Sequence, residues 1–209
     1  MSSLEKAKKI RKRISILRYI PFVRLAVLSG SHVTGKANDD SDIDLIIGVE
    51  DGRVWLSRAF TLFFLDILGI RNKPPLPEGD KLCLSHFMSV ADLKMNDPEN
   101  SYEKESYKRL LPVYGDQSAC ETFFKANIHI IKDIPDYEKS PFYTGKNRSL
   151  MATIFEKMLS GKLGDFLETQ AREWQTGKIN RYMAEIKTAE RKTRVICRND
   201  RVETYYDIF

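Results

Sequence analysis

The chain has 209 residues, of which 42% are hydrophobic and 30% charged, and its net charge is +5. This composition excludes disordered and fibrous proteins, and so small a basic excess is weak support for a nucleic-acid binder. No run approaches the roughly 18 apolar residues of a membrane-spanning helix, so no membrane partner is expected. Three widely spaced cysteines without a CxxC pair predict neither a zinc site nor a disulfide framework, and they favour the reducing cytoplasm.

The first predicted element is an amphipathic helix that ends before Pro21. Apolar residues recur at helical spacing at positions 4, 7, 10, 14 and 17, and lysines and arginines fill the positions between them. A solvated helix face accounts for these charges better than a phosphate-binding face does. An RNA-binding role for this helix is therefore a weaker hypothesis than the functional hypotheses given below.

Two short strands and a helix are predicted next. Residues 22–28 form a short apolar run that breaks at Ser29-Gly30, and residues 42–50 form a second strand. Residues 53–70 predict a helix that closes on Gly69, and residues 81–89 predict a third strand.

The rest of the chain is predicted to be mainly helical. Helical patterns cover residues 90–192, with a capping box at Ser118 and Glu121 and a weaker one at Ser89 and Asp92. A long helical pattern runs from about residue 149 to residue 187, and a small hairpin is predicted around residues 199–200. We therefore expect a core domain over residues 1–95 and a mainly helical region over residues 96–209.

The candidate metal-binding and phosphate-binding residues lie in and beside the segment between the first two predicted strands. Asp42 and Asp44 are two residues apart on a strand, so their side chains share one face with about 6.5 to 7 Å between Cα atoms. Two such carboxylates can turn onto one hard cation, and Mg²⁺ prefers oxygen ligands and accompanies phosphates. Gly30 and Ser31 end the preceding strand, where a glycine backbone and a hydroxyl can approach phosphate oxygens.

This segment, "GSHVTGKANDDSDIDLII", resembles the active-site segment of the nucleotidyltransferase superfamily that includes DNA polymerase beta. It is most similar to the small stand-alone bacterial and archaeal members, whose pattern is roughly G-S-x-A-x-G-x-A-x-x-D-S-D-I-D-L. The matching residues are Gly30, Ser31, Gly35, Ala37, Asp40, Ser41, Asp42, Ile43, Asp44 and Leu45. The strict match covers residues 25–47, and a looser order of elements extends it to about residue 89.

The resemblance implies an α/β (α+β) nucleotidyltransferase fold, in which a small mixed sheet is flanked by helices and followed by a helical C-terminal region. It makes Gly30 and Ser31 the binders of the nucleotide phosphates, and Asp42 and Asp44 the catalytic ligands of Mg²⁺. Lys36, in the loop between them, is a further candidate contact to the triphosphate. The implied reaction moves a nucleoside monophosphate from an NTP to an acceptor, which is a small molecule, an RNA end or a protein side chain, and releases pyrophosphate.

Val33 stands in the position of the first Ala of the family pattern, and a second departure concerns the acids. Members usually add a third carboxylate from a later strand, and here Cys83 stands in its place. Three explanations stay open: Asp80 or Asp66 supplies the third acid, two acids suffice, or the site binds nucleotide without turning it over. The last would make the protein a nucleotide-binding regulatory or antitoxin-like module.

A second group of polar residues lies on one later helix. Trp174, Gln175, Lys178 and Arg181 share that helix and could line an acceptor pocket. Tryptophan at helical spacing among apolar neighbours more often packs in a core, so this group is left out of the candidate site residues.

Overall fold

The computed structural model describes residues 3–73, 79–132, 134–136, 140–188 and 193–206. Its helices are α1 (Ser3–Ile14), α2 (Ser31–Thr34), α3 (Val54–Ile67), α4 (Ser101–Tyr107), α5 (Gln117–Ala126), α6 (Leu150–Met158) and α7 (Lys162–Thr188), and a 3-10 helix at Ser15–Tyr19 continues α1. Its strands are β1 (Val23–Leu28), β2 (Ile43–Val49), β3 (Leu82–Ser89), β4 (Leu111–Gly115), β5 (Thr193–Cys197) and β6 (Arg201–Tyr206). No helix in these described ranges is long and apolar enough to cross a membrane.

A six-stranded sheet in the order β4-β1-β2-β3-β6-β5 forms the centre of the fold. Strands β2 and β3 are parallel, and every other neighbouring pair is antiparallel. Helix α3 connects the two parallel strands, as a parallel pair requires a crossover. The mixed sheet with flanking helices confirms the predicted fold class.

The core lies on both faces of this sheet. Along β2, Ile43, Leu45 and Ile47 pack with residues of α1 and α3, whereas Ile46 packs with Phe123 and Phe124 of α5 in a separate cluster. Because both faces are covered, β2 is apolar almost throughout and Asp44 interrupts it. A carboxylate in that position requires polar or charged neighbours, and the site described below supplies them.

The predicted helix α1 is confirmed, with Ala7, Ile10, Ile14 and Leu17 buried along one face of α1 and its 3-10 continuation. The predicted hairpin is confirmed as well, since β5 and β6 pair across a turn in which the Arg198 N–H donates to the Arg201 carbonyl over 2.8 Å.

Three local predictions for residues 89–126 are wrong. Residues 111–115 form strand β4 rather than a helix, at the edge of the sheet where Pro112 is tolerated. No helix starts at Ser89 and Asp92, and Asp116 rather than Ser118 caps α5, accepting from the Ala119 N–H over 2.8 Å. Strands β4, β5 and β6 all follow residue 96 and join the same sheet, and the domain boundary near residue 95 stays a prediction.

Candidate active site

Two carboxylates and a thiol converge where β2 and β3 run side by side. Asp42 lies immediately before β2, Asp44 lies on β2, and the parallel register places Cys83 of β3 opposite Asp44. One ligand atom from each of the three residues lies within 4.8 Å of the other two. The Asn72 side-chain amide donates to Asp42 Oδ2 over 2.6 Å and orients that carboxylate. The two acids predicted to share one strand face therefore do meet.

Burial makes ionisation of the two carboxyl groups and the thiol unfavourable. Burial, and then the neighbouring charge of Asp42, raise the pKa of Asp44 to about 7, although the Cys83 thiol opposes the shift by hydrogen bonding. Burial also raises the pKa of Asp42, and it raises the pKa of the Cys83 thiol well above its usual value, with the two carboxylates adding to that effect. Close carboxylates that resist ionising together are stabilised by a positive charge between them. A divalent cation bound between them would supply that charge.

The predicted phosphate loop passes directly against Asp44. Gly30 has φ +72°, and a Cβ on it would lie 2.0 Å from Asp44 Oδ2, so only glycine fits there. The Ser29 N–H donates to the Asp44 carbonyl over 3.0 Å and fixes the loop to β2. Among the described residues the buried Ser31 hydroxyl has no hydrogen-bond partner, and Lys36 is exposed.

Helix α4 covers this loop, which the sequence did not predict. The Gly30 N–H donates to Ser106 Oγ over 2.7 Å, and the Tyr102 hydroxyl interacts with the backbone of Ser31. Burial, with Asp44 and Asp42 nearby, raises the pKa of Tyr102. Residues 101–107 lie within the predicted helical region, and the helix begins at a cap in which the Asn100 side chain accepts from the Glu103 N–H over 2.8 Å.

A cavity of about 840 Å³ opens from the cluster. Gly30, Asp42, Asp44 and Cys83 line one side, together with residues of α4. Ser31 and Lys36 are not among its lining residues, so their predicted contacts to the nucleotide stay predictions.

Helices α3 and α7 form the opposite wall of the cavity. Trp174 of α7 lines it, is 57% exposed, and has the Lys178 ammonium 3.8 Å from its ring centroid. Gln175 is buried and donates to the Trp55 carbonyl over 2.8 Å, which ties α7 to α3. The expected core packing is wrong for Trp174, which is exposed. Of the other three residues, Gln175 is buried, Lys178 lines the cavity, and Arg181 is exposed and does not line it.

Neither alternative third acid reaches the cluster in the part of the chain that the structure describes. Asp66 lines the cavity, but its carboxylate pairs with Arg71 over 2.9 Å and with Lys73 over 3.1 Å. Asp80 pairs with Lys9 of α1. The third ligand atom beside Asp42 and Asp44 is the sulfur of Cys83.

A sequence model of the nucleotidyltransferase domain matches residues 4–109. The chain belongs to the nucleotidyltransferase domain family. No curated protein sequence matches it. The family match runs from α1 to the end of α4, so the helix that covers Gly30 lies within the nucleotidyltransferase domain and α7 lies beyond it.

Proposed function

We propose that the protein is a nucleotidyltransferase that moves a nucleoside monophosphate from an NTP to an acceptor and releases pyrophosphate. The convergence of Asp42 and Asp44, with the Gly30 backbone close to Asp44 at a cavity of about 840 Å³, carries this proposal. Family membership supports the general chemistry. The cavity has room for a nucleotide and for part of a second substrate, which is a small molecule, an RNA end or a protein side chain.

Asp42 and Asp44 are the residues that would hold Mg²⁺. Their carboxylate oxygens are the hard ligands that Mg²⁺ prefers. When bound, the ion supplies positive charge to the phosphoryl oxygens, where phosphoryl transfer requires it most. Asn72 keeps one carboxylate oriented, and Gly30 allows the phosphate loop to approach the acids without a side chain intervening.

The apolar wall of the cavity supports a role in binding the organic parts of the substrates. Trp174 presents an exposed ring beside Lys178, and aromatic rings stack on nucleobases through their π-faces. Trp174 lies on α7, beyond the family match, so this wall is where we place selection of the acceptor or base. The free thiols of Cys83, Cys120 and Cys197 fit a reducing compartment, which supports a cytoplasmic location.

One observation favours a second function, a nucleotide-binding module with little or no turnover. Cys83 occupies the position of the third carboxylate, and no other described acid replaces it. Losing a general base costs on the order of 10²- to 10⁴-fold in rate. The protein would then bind an NTP and serve as a regulatory or antitoxin-like partner.

Label transfer separates the two functions. The protein is incubated with Mg²⁺, each of the four α-labelled NTPs and a cell extract, and labelled products are resolved. We expect transfer by the wild type and by Asp97→Asn, which removes an exposed charge outside the cavity, and loss of transfer in Asp42→Asn and Asp44→Asn. Thermal stabilisation by an NTP without transfer would instead support the binding module. If no NTP stabilises the protein, both functions are wrong.

A further inference from the structure

We propose that Cys83 is a metal ligand, and that with Asp42 and Asp44 it forms a site selective for a thiophilic divalent cation of the Zn²⁺ class over Mg²⁺. The proposal rests on the proposed function in placing a metal at the two aspartates. It goes further by assigning the third ligand and the preferred ion.

The geometry brings the thiol to the carboxylates as a third donor. Cys83 pairs in register with Asp44 on the adjacent parallel strand, is 7% exposed and lines the same cavity. Both carboxylates lie within hydrogen-bonding reach of its thiol. The sulfur therefore lies where a third ligand to the same ion has to be.

Other acids around the cavity are already engaged. Asp66 pairs with Arg71 and Lys73, and the carboxylate of Glu103 accepts from the Glu99 N–H over 2.9 Å. Among the described residues, neither acid has a ligand atom within 4.8 Å of the Asp42, Asp44 and Cys83 ligand atoms. The donor set available to an ion is thus two carboxylates and one sulfur.

This donor set decides which ion is preferred. Magnesium requires oxygen ligands in octahedral geometry, and sulfur is a poor substitute. Zinc takes thiolate and carboxylate ligands together, and catalytic zinc sites have three protein ligands with a fourth position open to water or substrate. Asp42, Asp44 and Cys83 are three such ligands facing a cavity.

Binding exchanges a proton for the metal. The thiol proton leaves to solvent as the sulfur–metal bond forms, and the divalent cation offsets most of the negative charge of the two carboxylates and the thiolate. The widely spaced cysteines give no zinc pattern in the sequence, because the ligands come from two strands that are neighbours only in the folded sheet.

A bond between Co²⁺ and the Cys83 sulfur can be detected directly by absorption spectroscopy. Metal-free protein is titrated with Co²⁺ in the absence of nucleotide, and the near-ultraviolet band of thiolate-to-cobalt charge transfer is recorded. We expect the band in the wild type and in the double variant Cys120→Ser/Cys197→Ser, which retains Cys83 as its one cysteine. Cys83→Ser should lose the band. It should also bind Zn²⁺ about 10- to 100-fold more weakly, a loss of the size that mutations around metal sites typically cause.

A carboxylate at the same position provides the opposite test. Cys83→Asp should lower the ratio of Zn²⁺ to Mg²⁺ affinity at least as far as Cys83→Ser does, because it restores an all-oxygen donor set. Absence of the band in both the wild type and the double variant would overturn the proposal, even if Cys83→Ser fails to fold. Equal Zn²⁺ affinity in the wild type and Cys83→Ser would overturn it as well.

The two proposals fail separately. A wild type that transfers label with Mg²⁺ but shows no thiolate band keeps the proposed function and refutes the role of Cys83. A wild type that shows the band but transfers no label with Mg²⁺, Mn²⁺ or Zn²⁺ keeps the metal site and refutes the transferase.

Discussion

At the scale of single residues, Gly30 controls how closely the phosphate loop approaches Asp44. A Cβ there would lie 2.0 Å from Asp44 Oδ2, so Gly30→Ala must displace that carboxylate or the loop. We expect nucleotidyl transfer to fall on the order of 10²-fold, the effect of a displacement of about 1 Å at a reacting centre. Initial rates with saturating NTP measure this loss.

Gly35 provides a control for Gly30. Both have positive φ, +76° and +72°, but a Cβ on Gly35 would meet nothing within 4 Å. Gly35 has ψ 9°, in the left-handed region that costs an alanine about 1 kcal/mol, whereas Gly30 has ψ −149°, in a region that essentially only glycine adopts. Gly35→Ala therefore introduces a milder backbone strain without the clash. It should lower the free energy of unfolding and leave transfer nearly intact. Equal losses of transfer in the two variants would show that backbone strain, and not contact with Asp44, explains the requirement for glycine.

At the scale of elements, helix α4 accepts a hydrogen bond from the backbone of the phosphate loop, so that donor is not free for a ligand. Ser106 accepts from the buried Gly30 N–H, so Ser106→Ala leaves that donor unsatisfied and should lower the free energy of unfolding by about 1–3 kcal/mol. A nucleotide phosphate can then take the freed donor, so NTP affinity should rise. Denaturant titrations and calorimetry measure the two effects.

Ser101→Ala, an exposed substitution at the start of the same helix, is the control and should change neither quantity by much. If Ser106→Ala weakens NTP binding instead, the Ser106 hydroxyl is itself a phosphate ligand, and α4 completes the loop rather than covering it.

At the scale of the whole molecule, ion pairs around the buried Arg201 join strand β6 to the loop after β3. Arg201 pairs with the fully buried Glu203 over 3.1 Å and with Asp92 of the loop after β3. Removing one partner of such a pair strands the other charge, at a cost of about 3–5 kcal/mol. We therefore expect Arg201→Met to lower the free energy of unfolding by that amount in denaturant titrations.

Arg194 on the neighbouring strand provides the comparison. It pairs with Glu99 over 2.6 Å, but the two side chains are 47% and 58% exposed. Exposed pairs contribute about 0–1 kcal/mol, so Arg194→Met should have an effect in that range. Similar losses of unfolding free energy in the two variants would contradict the prediction that burial makes the Arg201 pair more important for stability than the Arg194 pair.

The sequence by itself determined the elements around the motif. The two-residue period of β2 predicted that Asp42 and Asp44 share a face, helical spacing predicted α1, and the long run that closes on Gly69 predicted α3, because these signals depend only on neighbours along the chain. Burial on both faces of the sheet left Asp44 as a polar interruption in an apolar strand, which is why the motif stands out in the sequence.

Only the tertiary structure decided what surrounds the acids. Edge position made a strand of the Pro112 segment, strand pairing set Cys83 against Asp44, and packing of α7 on α3 turned Trp174 toward the cavity. Helix α4 lies over Gly30 for the same reason. Each of these contacts joins residues far apart in the chain, and no local period records which distant segments will pack together.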